Sequence, residues 1–280
     1  MLKYELIFMQ LLYEGIVSQA NFFKPDMVAR DVLALAHERT YIEKVLNLQL
    51  DEKMTRRIGF PLNKALVDRE CLLVSGTLNC CQFSLKYGVS FNIAGGTHHA
   101  GKDFGEGFCL FNDQAVGAAF LIANKLAERV LIVDLDVHQG NGTAHIFQGN
   151  ENVFTFSMHA EKNFPFRKEE STLDVPLQDG VEDDEYLSVL ERNLKDIFDA
   201  FRPNFVFYQA GVDVLSTDKL GKLNLSERAC SKRDELVFLK CRDHNIPVQV
   251  SMGGGYSVKI KDIVNAHVAT FKTAIDIFAL

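Results

Sequence analysis

The sequence predicts a three-layer α/β/α fold around a mainly parallel sheet, and two observations carry that expectation. Short, continuously apolar runs rich in β-branched and aromatic residues occupy positions 91–94, 130–134, 153–158, 205–209 and 247–252. Amphipathic stretches of helical period lie between and after them, at 113–128, 184–201, 225–244 and 259–278. Strands that are apolar on both faces and separated by helices belong in a parallel sheet covered on both sides. The first 90 residues, by contrast, read as helical, with apolar positions recurring through Leu6, Met9 and Leu12 and through Val32, Leu33, Leu35 and Ala36. The longest candidate helix covers 64–87 and stops at Gly88. No repeat, low-complexity tract or Pro/Gly/Ser linker divides the chain, so residues 1–280 are expected to form a single domain.

Composition narrows the function classes. A chain of 280 residues that is 47% hydrophobic can bury a large core. Its net charge of −7, with no block of Lys or Arg, argues against direct nucleic-acid binding, which needs a clustered positive field. The acidic balance suits a cationic substrate at an acidic rim. Six cysteines (Cys71, Cys80, Cys81, Cys109, Cys230, Cys241) form no C-x-x-C pair, so they read as reduced core thiols and favour a cytoplasmic setting. The N-terminal stretch carries Lys3 and Glu5 within its apolar residues and no small-residue cleavage site, unlike a signal peptide. No run approaches the roughly 20 apolar residues of a membrane span.

The chemistry-bearing residues follow the predicted strands. GGTHHAG comes after the first, DLDVHQGNG after the second, SMH at the third, QAGVD at the fourth and SMGGGY at the fifth. In open parallel sheets the ligand site lies beyond the carboxyl ends of the strands, which is where these segments converge. Asp136 and His138 are two apart at a strand end, so both side chains point to one side. With Asp213, just past another strand, they make an Asp/His/Asp set that leaves a fourth position open, as a catalytic zinc requires. The mixed oxygen and nitrogen donors would also accept iron(II) or cobalt(II). His98 and His99 are adjacent in a loop, where one imidazole can act as a general base and its neighbour can stabilise developing charge. Tyr256 ends the run Gly253, Gly254, Gly255, whose glycines let the backbone approach closely and bring a phenol near the metal.

These segments resemble the histone deacetylase family. HHAGKDFGEGFCLFND, VDLDVHQGNG, FSMH, QAGVDVLSTDKLGKLNLS and GGGY occur in that order, and the likeness extends from about Lys3 to the C-terminus. The HQGNG form and the EDDEYL segment look most like the class IV-related, often bacterial, branch. The resemblance implies an arginase/deacetylase-like fold and hydrolysis of an N6-acetyl-lysine side chain or a similar acylated amine. By motif position it implies zinc on Asp136, His138 and Asp213, an active-site pair His98 and His99, and Tyr256 as the transition-state tyrosine. Asp134 would be the acidic partner of His98, and Asn141 the partner of His99. Gly107 and Phe108 would line the acyl-lysine tunnel, with Phe164 as the opposite wall and Gly254 at the substrate. A structural potassium ion is also implied, at Asp134, Asp136, His138, Ser157 and Met158, partly through backbone carbonyls.

Two departures qualify the likeness. Asn141 stands where class I relatives carry Asp, so His99 can be oriented but not stabilised by charge when protonated, and its pKa should be lower. Class II and IV relatives share this Asn. Relatives also begin with an extra strand and a basic loop ahead of the KYELI-like helix, so an edge strand and part of the substrate rim are expected to be missing. Three other readings stay open at this stage. One is a shortened, non-catalytic binder of acylated amines. Another is a deacetylase of acetylpolyamines or other small amides. The third is a two-manganese ureohydrolase, which Gly140 speaks against because it stands two after His138, where a bridging carboxylate would be needed. Oligomeric state is not expressed in the sequence.

Overall fold

The structure is a computed structural model that describes residues 2–279. Six strands form one sheet: β1 (Val89–Asn92), β2 (Val130–Asp134), β3 (Val153–Ala160), β4 (Leu173–Leu177), β5 (Phe205–Gln209) and β6 (Val248–Ser251). All neighbours pair in parallel, in the order β1-β6-β5-β2-β3-β4. The helices are α1 (Leu2–Tyr13), α2 (Arg30–Leu33), α3 (Arg39–Leu46), α4 (Glu52–Ile58), α5 (Lys64–Tyr87), α6 (Asp113–Ala123), α7 (Asn141–Phe147), α8 (Asp183–Phe201), α9 (Glu227–Asp243) and α10 (Ile260–Phe278).

The period-2 geometry of a strand sorts the core into two layers. In β2, Leu131 and Val133 join one apolar cluster with residues of α1, α8, α9 and α10. Val130 and Ile132 face the other way, into a cluster with α3, α5 and α6. In β5, Val206 and Tyr208 share the first cluster and Phe205 and Phe207 the second. Both faces of these strands are therefore dry, which explains why they read as unbroken apolar runs rather than as alternating ones.

Helix ends follow local chemistry. Asn63, Asn112 and Ser226 each cap the helix that follows, accepting from the backbone N–H of Leu66, Ala115 and Ala229. Helix α5 runs over the span expected for it and ends at Gly88, whose φ is +91°. Helix α6 stops short of the expected 128. Lys125 adopts a left-handed φ of +57°, its N–H bonds Ile122 O at 3.0 Å, and Leu126 N–H bonds Leu121 O at 2.8 Å. Those two bonds make a Schellman motif with lysine in the usual glycine position, so no sequence signal marked the stop. Strand β4 was not anticipated. Pro176 lies inside its LDVPL sequence, and only an edge position such as β4 occupies lets a proline forgo its ladder bond.

The sheet order also places the site. From β2 the chain passes through α7 to β3 on one side, and from β5 it passes through α9 to β6 on the other. The two connections diverge, so a crevice opens beyond the carboxyl ends of β2 and β5, the position at which such sheets hold ligands.

Candidate active site

The segments after β2 and β5 meet in this crevice. Asp134 closes β2, level with Ser157 of β3 and Gln209 of β5. Two and four residues on, Asp136 and His138 project toward Asp213, and atoms of all three lie within 4.8 Å of one another. His138 Nδ1 is 3.0 Å from Asp136 Oδ1 and 3.2 Å from Asp213 Oδ2. A tetrahedral zinc with bonds of about 2.1 Å separates its ligands by roughly 3.4 Å, so the spacing fits.

Backbone donors hold each carboxylate. Asp136 Oδ1 accepts from His138 N and Oδ2 from Gly254 N, at 3.1 and 2.8 Å. Asp213 Oδ1 accepts from Val137 N at 3.0 Å, while its Oδ2 is buried with no hydrogen bond. Burial first, and then the Asp136 charge, push the Asp213 pKa up to about 6. Two buried carboxylates this close repel each other unless a cation lies between them. The orphan oxygen, the anchored partner oxygens and the imidazole together fit a divalent metal. A Cβ at Gly254 would lie 1.9 Å from Asp213 Oδ2, so only glycine leaves room for the ligand there.

Two histidine dyads flank the cluster. His98 Nδ1 bonds Asp134 Oδ2 at 2.7 Å, and His99 Nδ1 bonds Asn141 Oδ1 at 2.7 Å. Their environments diverge. Burial pulls the His98 pKa down, but Asp134 and Asp136 override it and raise it to about 9. Burial and the neighbouring His98 and His138 charges hold His99 well below its ordinary value, so it is neutral. Asn141 in turn donates through Nδ2 to Glu106 Oε2 at 2.8 Å, which leaves its oxygen facing His99. His99 therefore carries its proton on Nδ1 and turns the Nε2 lone pair toward the cavity.

The cavity has a volume of about 1130 Å³, and its floor includes His98, His99, Asp136, His138, Asp213, Gly254 and Tyr256. Phe164 packs edge-on against His99, with ring centroids 5.0 Å apart, and Phe108 faces Tyr256 at 6.4 Å. A Cβ at Gly107 would lie 2.6 Å from the His99 ring, so the wall passes tight against that imidazole. The expected tunnel residues Gly107, Phe108 and Phe164 thus do line one cavity with the cluster. Ser157 and Met158 lie apart from it: Ser157 Oγ is 3.0 Å from His159 Nδ1, Met158 is in the core, and the Asp134 carboxylate serves His98 and Asp136 N. The group of metal-binding side chains among the described residues is Asp136, His138 and Asp213, and the potassium expectation is without support.

The expected acidic rim is corrected. Among the described residues, the only acidic side chains lining the cavity are Asp136 and Asp213, both in the cluster, whereas the exposed Arg57, Lys162, Lys219 and Lys222 line its mouth. Glu106 pairs with Arg57, and Asp179 lies 3.7 Å from Lys222, both just outside this lining.

Similarity to known proteins agrees with this geometry. The profile of the histone deacetylase domain matches residues 2–271. The chain belongs to the histone deacetylase family. An uncharacterized protein of Picosynechococcus is 41% identical over 99% of this chain and 92% of its own length. Histone deacetylase 2 of Arabidopsis thaliana is 30% identical, and type-1 histone deacetylase 1 of Dictyostelium discoideum 32%. The chain spans 66% and 54% of those two relatives. The crystal structure of a histone deacetylase homolog complexed with SAHA superimposes with a TM-score of 0.82, at 25% identity, over 98% of this chain and 81% of that one. A homolog from Aquifex aeolicus has the same TM-score at 24% identity and supports the arginase/deacetylase fold.

In this deacetylase-family chain, some residues at the site were given no role by sequence reasoning. Glu106 joins Asn141 to Arg57, which grips it with Nε at 2.7 Å and Nη2 at 3.0 Å. Its one signal was position, a carboxylate between the two glycines of GEGFC. Lys3 donates to Gly253 O at 2.8 Å, tying α1 to the loop that carries Tyr256. Nothing in the sequence links these two ends of the chain. Among the described residues, no helix is long and apolar enough to cross a membrane. The six cysteines are free and buried.

Proposed function

We propose that the protein is a zinc-dependent hydrolase of N-acylated amines, with N6-acetyl-lysine as the reference substrate. The observation that carries this reading is the neutral His99 beside an Asp/His/Asp cluster at the floor of an aromatic-walled cavity. Asp136, His138 and Asp213 would hold the metal, which when bound supplies Lewis acidity toward a carbonyl oxygen and lowers the pKa of water.

The chain's own groups supply the rest. His99, with its Nδ1 proton committed to Asn141, takes a proton from the attacking water on Nε2 and later returns it to the leaving amine. His98, kept cationic by Asp134, stabilises the negative charge that develops during attack. Burial and the Asp213 and Asp136 charges raise the Tyr256 pKa far above its ordinary value, so its hydroxyl stays protonated and can donate to the oxyanion. Phe108 and Phe164 enclose an apolar methylene chain between aromatic faces, the geometry that a lysine side chain needs.

The test is turnover of a neutral acetyl-lysine peptide by protein stripped with a chelator and then reloaded with zinc. Activity should vanish on stripping and return on reloading. Asp213→Ala and His138→Ala should each lower kcat/KM by about 10³ or more and abolish stoichiometric zinc binding. Undiminished turnover in either variant would sink the proposal. Tight binding of the peptide by the zinc-loaded protein without any product would favour the non-catalytic binder instead.

A further inference from the structure

The charge at the mouth of the cavity is opposite in sign to that of the molecule, which carries 37 acidic against 30 basic side chains. Arg57 lies on one wall and is engaged by Glu106; Lys222, on the other, is 3.7 Å from Asp179. Lys162 and Lys219 make no ion pair among the described residues, and both are exposed. They are not borne on loose strands of chain. Asn163 Nδ2 donates to Leu220 O at 2.6 Å and Lys222 Nζ to Lys162 O at 3.2 Å, so the segments bearing the lysines are bonded to each other. Phe166, 90% exposed, and Leu220 stand beside them.

Resting on the acyl-amine reading of the cavity, we propose that the mouth selects an acyl-lysine carried on an acidic peptide segment. Unpaired cations at an entrance attract an anionic carrier and repel a cationic one, through association rate more than through the contacts made at the floor. That disfavours acetylpolyamines, whose remaining amines are cationic, and lysine-rich tails. A peptide is favoured over a small acid because the exposed Lys162 and Lys219 stand beside the apolar Phe166 and Leu220, so acidic and apolar side chains flanking the acylated residue can be engaged together.

The test uses the zinc-loaded protein and three acetyl-lysine peptides of equal length, flanked by Asp and Glu, by Ser and Gln, or by Lys and Arg. At low ionic strength (about 0.01 M) the acidic peptide should exceed the basic one in kcat/KM by roughly tenfold or more, mostly through KM. Near 1 M salt, where the screening length falls to about 3 Å, the difference should collapse. The double variant K162E/K219E should reverse the order. Equal rates for the acidic and basic peptides in the parent protein would overturn the proposal, as would an unchanged order in the double variant. If even the neutral peptide is not hydrolysed, the acyl-amine reading fails by itself. Fluorescence anisotropy of the same labelled peptides then decides the mouth, with tighter salt-sensitive binding of the acidic peptide expected and equal binding overturning it.

Discussion

The floor of the cavity and its mouth are built by different means. The floor hangs from the carboxyl ends of β2 and β5 and is fixed by backbone N–H groups of Val137, His138 and Gly254. It is buried, and its charges are acids and imidazoles. The mouth is made of the segments at 57–60, 162–166 and 219–222, is largely exposed, and is basic. Reactive groups must be held to within fractions of an ångström, and strand ends can do that. Groups that choose a carrier need only present a field, for which surface loops suffice.

The largest effect that would sharpen this contrast is loss of the base. His99→Ala should cost about 10²- to 10⁴-fold in kcat with little change in KM, measured on the neutral peptide. Glu106→Ala tests whether the floor depends on a carboxylate that also pairs with Arg57 of the mouth. Freeing Asn141 should cost about 10- to 100-fold, again in kcat, and Glu106→Gln should recover part of it. A loss confined to KM in Glu106→Ala would break the division between floor and mouth. Phe164→Ala removes a wall rather than a reacting group and should raise KM by roughly tenfold at most.

The remaining prediction concerns stability rather than turnover, in the support beneath the floor. His37 bonds Gly101 O through Nδ1 at 2.8 Å and accepts from Asn112 N at 2.9 Å, bracing the segment that carries His98 and His99. Burial depresses its pKa to about 4. Because the folded pKa lies below the unfolded value of about 6.5, the unfolded chain binds the extra proton first. The stability contribution of a neutral His37 is thus complete above about 6.5 and lost as pH falls toward about 4, a difference of roughly 3 kcal/mol. Denaturant unfolding of the parent and of His37→Gln at several pH values should show the gap between them closing across that window. A gap independent of pH would remove His37 from the account.

Legibility in the sequence followed the same division. The strands that became β2 and β5 were visible because both faces are buried, which leaves an unbroken apolar run. Strand β4 was hidden by Pro176, and the end of α6 by a lysine in a left-handed turn. At the site, Asp136, His138 and Asp213 could be brought together from sequence because each lies a fixed few residues past a strand end. Glu106 and Arg57 could not, since their meeting depends on how α4 packs against a distant loop. The sign of the mouth was misread for a related reason. Net charge is a sum over the whole surface, whereas the cavity sees only the residues that loops carry to its edge.

Gly254 makes no side-chain contact of its own, yet a methyl group there would occupy the space of Asp213 Oδ2, at 1.9 Å, and crowd Asp136 Oδ2, at 2.8 Å. Every one of the nineteen alternatives at that position therefore strikes the ligand cluster, starting with alanine. Gly254 thus serves the cluster twice over, by its backbone N–H to Asp136 Oδ2 and by the space that its missing side chain leaves. Under random mutation, the centre of such a site would announce itself first as a gap in the tolerated substitutions at a glycine.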